Sequence, residues 1–156
     1  MTALFKPASL TLATALTLSV LSTHLAADPI EDAIEYRQGA YTMIKHHFGT
    51  LGAMAKGKME FDAETFRKNA EAVATLSQFP INGFIEGSFE GDTAAKPDIA
   101  ENMDDFKQKM ETFQIEAANL AKAAAEEGAD LEGLKPQLGK VGESCKACHD
   151  SYREKD

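Results

Sequence analysis

The only two cysteines of the chain fall in one short run, Cys145-Lys146-Ala147-Cys148-His149. On a helix, positions 145, 148 and 149 are mutual neighbours, so a single surface presents two thiols and an imidazole. That spacing suits covalent attachment of a c-type haem: each thiol adds to one haem vinyl group, and the next residue delivers its ring to the iron from the same side. Neutral imidazole is a good ligand for iron. Cys145 and Cys148 are therefore the expected anchors of one haem c per chain, and His149 the expected metal ligand. Three other chemistries compete. A disulfide across a two-residue gap inside a helix is strained and leaves His149 unexplained. A thioredoxin-like redox pair belongs beside a strand–helix–strand pattern, which this sequence lacks. A zinc site needs two further ligands, and only His46 and His47 are available; as sequence neighbours they point to different sides of a helix.

A haem motif on a helix needs other elements to enclose it, and hydropathy patterning supplies four, with no sustained alternation of the kind a strand requires. The first opens at Asp28-Pro29-Ile30-Glu31, a capping acid followed by proline at the first helical position, with Glu31 three residues beyond the cap. Ile30, Ile34, Tyr41, Ile44 and Phe48 give it an apolar stripe, and it should end between Gly52 and Gly57. The second starts at Asp62, carries Phe66, Ala70, Val73 and Leu76 inward, and stops before Pro80. Residues 81 to 97 read as a loop, but Ile81, Phe84, Ile85 and Phe89 make it too apolar for a free linker, so it should pack across the bundle. The third runs unbroken through Ile99, Met103, Phe106, Met110, Phe113, Ala117, Leu120 and Ala124 towards a stop at Gly128. The fourth places Leu138, Val141, Cys145, Cys148 and Tyr152 at steps of three and four residues. Pro136 is expected near its first turn, with Leu131 and Leu134 in a short turn before it. Four amphipathic helices of this size bury their stripes against one another, so the fold class is all-α, an antiparallel four-helix bundle with the haem on the C-terminal helix.

Upstream, Lys6 precedes an apolar run from Leu10 to Leu21, small residues Ala26 and Ala27 follow, and no acid occurs before Asp28. This is the layout of a secretory signal peptide, and the run is too short for a comfortable membrane span. Residues 1–26 are read as the leader and 27–156 as the mature domain, with cleavage after Ala26 or Ala27. Loss of Lys6 moves the formal charge from −9 to −10, which leaves no footprint for nucleic acid or anionic lipid. No later segment is long and apolar enough to hold the mature chain in a membrane.

Most small c-type cytochromes carry the haem motif near the N-terminus; here it ends the last of four helices. That order resembles the class II cytochromes c, and cytochrome c′ most closely, over residues 28 to 156. The strongest likeness lies in Tyr36-Arg37-Gln38 and in Val141-Gly142-Glu143-Ser144-Cys145-Lys146-Ala147-Cys148-His149-Asp150-Ser151-Tyr152-Arg153. The resemblance implies that Arg37 and Gln38 lie against the haem edge and propionates. On chemical grounds too, an arginine beside an apolar stripe can pair with a propionate and a glutamine can donate to one. Arg153 matches a cation four residues beyond the proximal histidine. Asp92 resembles another haem-neighbouring position, in a stretch where the sequence departs from the family pattern.

The resemblance also sets Tyr41 over the open face of the iron, as a steric lid rather than a ligand, because its phenol is protonated near neutral pH. Met43, the tempting sulfur ligand, lies two residues on and faces about 160° away from Tyr41. The expectation is a periplasmic protein with five-coordinate, high-spin haem, binding the small gases NO and CO and transferring electrons to an unspecified redox partner. The family habit adds a homodimer formed through the first helix. The alternative is a six-coordinate, Met-ligated electron-transfer cytochrome. With no general acid–base pair in view, the chain is not expected to be an enzyme; a peroxidase would want distal acid–base groups that Tyr41 does not supply.

Overall fold

The computed structural model describes residues 28–155, so the leader expected at residues 1–26 lies outside the described part. Helix α1 spans Pro29–Ala55. Its start is the one the sequence spells: the Asp28 carboxylate accepts from the Ile30 N–H at 2.9 Å, Pro29 takes the first position, and Glu31 and Asp32 face the positive end of the helix dipole. Helix α2 spans Ala63–Leu76 and is capped in the same way, Asp62 accepting from the Thr65 N–H at 2.8 Å. Pro80 then opens a single 3-10 turn, Pro80–Gly83. Beyond the loop come a one-turn helix α3 (Asp98–Glu101), α4 (Met103–Ala124) and α5 (Leu131–Tyr152).

Two boundaries differ from the sequence expectation. The third helix is interrupted at Asn102, whose backbone leaves the helical region (φ −124°, ψ 35°) while its N–H still reaches the carbonyl of Asp98 at 3.1 Å. The break adds no residue, so Ile99 and Phe106 both stay buried. The last helix also begins earlier than Pro136 suggested. Asp130 caps it by accepting from the Gly133 N–H at 2.8 Å, and Leu131 and Leu134 are helical; Pro136 is the sixth residue of α5. There it lacks only the N–H that would have reached the Glu132 carbonyl, one bond out of a well-packed helix.

The four long helices α1, α2, α4 and α5 form the bundle. Its core is a cluster of Ile44, Leu51, Met54, Phe66, Ala70, Val73, Phe113, Ala117, Leu120, Leu134, Leu138 and Val141. Each large apolar side chain buried there contributes roughly 1.5–3 kcal/mol. Short connections, residues 56–62 and 125–130, turn α1 into α2 and α4 into α5, and the longer segment 77–97 returns the chain to start α4 antiparallel to α2. A second, smaller cluster of Phe89, Ile99, Phe106, Met110 and Tyr152 fills the end of the bundle where α1 and α4 begin and α5 finishes. Among the described residues no helix is long and apolar enough to cross a membrane.

Candidate site at the C-terminal end of helix α5

The haem motif occupies the last turns of α5. Cys145 and Cys148 are free thiols, both half-buried, while His149 is exposed. The thiols straddle the junction between the two core clusters: Cys145 packs on the larger one with Tyr41 and Phe48, and Cys148 on the smaller one with Phe84 and Met103. Burial pushes both thiols up, Cys148 to about 11, where the neighbouring Cys145 adds to the effect. Partial desolvation of the ring first, and then the Arg153 charge, shift His149 down although the residue is exposed overall, so its ring is neutral near pH 7 and able to ligate a metal.

Helix α1 faces this pair with Tyr41. Its ring is half-buried, its hydroxyl lies 3.5 Å from the Met110 sulfur on α4, and burial drives its ionisation well above the ordinary tyrosine range. Met43 points the other way and is 49 % exposed. His46 is exposed and His47 is half-buried, with Nδ1 2.9 Å from the Asn69 side-chain oxygen on α2. Among the described residues no group of three or more His, Cys, Asp or Glu side chains gathers to hold a metal ion, so the zinc alternative gains no ligands beyond the motif itself.

Arg37, Gln38 and Asp92 are brought together. Arg37 is only 2 % exposed, and its guanidinium donates from Nη1 to the Gly83 carbonyl (2.6 Å) and the Ser88 hydroxyl (2.7 Å). From Nη2 it donates to the Ser88 carbonyl (2.5 Å) and the Thr93 hydroxyl (2.8 Å), and its plane lies 4.5 Å from the centre of the Phe84 ring. Gln38 donates to the Asp92 carbonyl at 2.8 Å. Four bonds from Arg37 and one from Gln38 thus run to segment 83–93. Ser88 and Thr93 were not foreseen; the available signal was a serine, Ser88, set among Phe84, Ile85 and Phe89 where an exposed loop would be polar throughout. Arg153 follows α5 directly: its N–H bonds the His149 carbonyl at 3.1 Å, and it pairs as an isolated antiparallel bridge with Ala95.

The donor set fits a covalently held haem. Two free thiols one turn apart and a neutral imidazole share one end of α5, beside apolar and aromatic walls contributed by α1, α4 and segment 81–89. The family model described as Cytochrome C′ matches residues 32–153. The chain belongs to the cytochrome c′ family. It is 42 % identical over 132 residues to the cytochrome c′ of Halomonas halodenitrificans, covering 81 % of this chain and 98 % of that protein. The solved cytochrome c prime of Shewanella frigidimarina superimposes with a TM-score of 0.78 at 46 % identity, covering 83 % of this chain and 99 % of that one. A variant of the Alcaligenes xylosoxidans protein, solved as its nitric oxide complex, has a TM-score of 0.74 at 41 % identity over 84 % of this chain and 99 % of that one. A carbon-monoxide-bound variant of the same protein matches equally well, with a TM-score of 0.74 and 42 % identity over 83 % of this chain and 98 % of that one. Covalently attached haem c is the cofactor of the family and of this chain, and the four-helix bundle is its fold.

Proposed function

We propose that this protein is an exported gas-binding and redox cytochrome whose haem is anchored by Cys145 and Cys148, with His149 as the proximal iron ligand. Bound there, the haem supplies an iron that takes up a diatomic gas and exchanges one electron. The observation that carries the five-coordinate reading is the opposed orientation of Tyr41 and Met43: the tyrosine is turned to the thiols and to Met110, whereas the methionine is 49 % exposed on the other side of α1. Tyr41 is then the lid of the open face. Its phenol is held neutral by burial, so it blocks water and larger ligands by bulk without bonding to the metal. NO and CO, which the Alcaligenes relatives bind in their solved complexes, are the ligands a crowded apolar site of this kind admits. Arg37, Gln38 and Asp92 border the site through segment 83–93, and Arg153 keeps a positive charge beside His149.

Electron transfer and a periplasmic location follow from the same reading. The leader at residues 1–26 delivers the chain to the compartment in which thiols are joined to haem, and residues 27–156 form the mature domain. The exposed Tyr36 (45 %) and Met43 lie seven residues apart on one face of α1, which suits pairing of that helix with its copy in a homodimer. Absorption and EPR spectra of the ferric protein test the reading: high-spin signals that persist in Met43→Ala are expected. A low-spin wild type that turns high-spin on Met43→Ala would replace this account with the six-coordinate, Met-ligated one.

A further inference from the structure

Arg37 is the largest fully buried side chain of the described residues, and among them its four hydrogen-bond acceptors are carbonyl and hydroxyl oxygens, none a carboxylate. A buried charge of this kind is retained only when hydrogen bonds satisfy it closely, and here every one of those bonds runs to one stretch of chain, residues 83–93. The stretch approaches α1 so closely that a Cβ on Gly83 would lie 2.5 Å from the Ala33 carbonyl oxygen and 2.9 Å from the Arg37 Cβ. Next along the chain, Gln38 ties down the Asp92 carbonyl. Past Thr93 the same segment is fastened to the end of α5: the Glu154 N–H bonds the Ala94 carbonyl at 2.8 Å and the Lys96 N–H bonds the Tyr152 carbonyl at 3.0 Å. Residues 83–96 therefore form a strap, held to α1 by the Arg37–Gln38 pair and to α5 just beyond His149.

The strap carries part of the wall of the site. The Phe84 ring lies beneath the Arg37 guanidinium and 4.6 Å from the Phe106 ring, which meets Tyr152 edge-on at 5.4 Å. Phe89 closes the same cluster, on which Cys148 packs. We infer that Arg37 is a positioning residue: by gripping the strap it holds this aromatic wall against the Cys148 side of the haem site and keeps water out of it. The inference rests on the haem attachment proposed above but adds a role for Arg37 independent of any contact with the cofactor. It needs the fork of the guanidinium, because four acceptors on three residues cannot be met by the three donors of an ammonium at one point. Charge alone is not sufficient.

The test uses the holoprotein in three forms: wild type, Arg37→Lys, and the double variant Ser88→Ala with Thr93→Val, which removes two acceptors and leaves the arginine intact. Hydrogen exchange of the peptide spanning residues 84–96 reads the strap. It should quicken about tenfold in Arg37→Lys, which is what about 1.4 kcal/mol of lost tethering converts to, and severalfold in the double variant. The reduction potential reads the wall: water admitted to the site favours the more highly charged ferric form, so the potential should fall in both variants. Wild-type exchange in Arg37→Lys would overturn the inference, since a point charge would then suffice. Faster exchange with an unchanged potential would also overturn it, because Arg37 would be supporting the loop and not the site. If the wild type proves to carry no covalent haem, the attachment reading fails, and the exchange of the strap still decides whether Arg37 grips it.

Discussion

Replacing Tyr41 by alanine separates the cost of packing from the obstruction of a ligand. Truncating a fully buried aromatic costs roughly 3–5 kcal/mol, and Tyr41 is half-buried, so about 2–3 kcal/mol of folding stability should be lost. Its hydroxyl contributes little of that, since a thioether is a weak acceptor and the Met110 sulfur is 3.5 Å away. With Tyr41 as the proposed lid, an entering gas would displace the same ring and so forfeit part of the same packing. If all of it returned as affinity, carbon monoxide would bind up to about 100-fold more tightly to the ferrous variant, each 1.4 kcal/mol being a factor of ten. Urea denaturation gives the first quantity, and a carbon monoxide titration with stopped-flow association gives the second. Tyr41→Phe, which keeps the ring, should stay within about fivefold of wild type in affinity. A Tyr41→Ala protein destabilised by the stated amount, yet with carbon monoxide affinity and association rate within about twofold of wild type, would refute the lid.

Three further outcomes follow. Gly83→Ala should destabilise the fold by about 1–3 kcal/mol in thermal or chemical denaturation, because the new Cβ meets the backbone of α1 and not a side chain that can turn aside. Tyr152 donates to Asp105, and that bond first, then burial, raises its phenol to about 12. The neutral phenol and the ionised Asp105 are both favoured in the folded protein, so the stability that Tyr152 adds over Tyr152→Phe should be constant from about pH 5 to pH 10, decline between about pH 10 and 12, and fall again in acid as Asp105 is protonated, read from urea midpoints of the two proteins. N-terminal sequencing of the periplasmic fraction should find a mature chain beginning at Ala27 or Asp28; full-length chain in the cytoplasm with haem attached would contradict the leader.

Much of this architecture could be read in the sequence because its signals are local. Asp28-Pro29 and Asp62 mark helix starts by caps that reach two or three residues, and the stripe from Ile99 to Ala124 survives the break at Asn102 because no residue is inserted there. The start of α5 is hidden in the sequence for the opposite reason: Pro136 is the conspicuous breaker, whereas the Asp130 cap that overrides it is one acid among many. At the site, Cys145, Cys148 and His149 announce themselves by spacing. The bonds of Arg37 do not, since their acceptors are backbone carbonyls and hydroxyls 46 to 56 residues away. No periodicity encodes such a partner. Hydropathy did predict that segment 81–97 packs on the bundle, but not that a buried cation fastens it there.

Every role proposed for these residues depends on covalent attachment of haem at Cys145 and Cys148. The direct measurement is the intact mass of the purified holoprotein after acid–acetone extraction, beside the Cys145→Ser/Cys148→Ser double variant. The wild type should retain the mass of one haem per chain in the protein fraction, whereas the double variant should give up its haem to the solvent or fail to accumulate as holoprotein. A wild type that releases all of its haem would contradict the account.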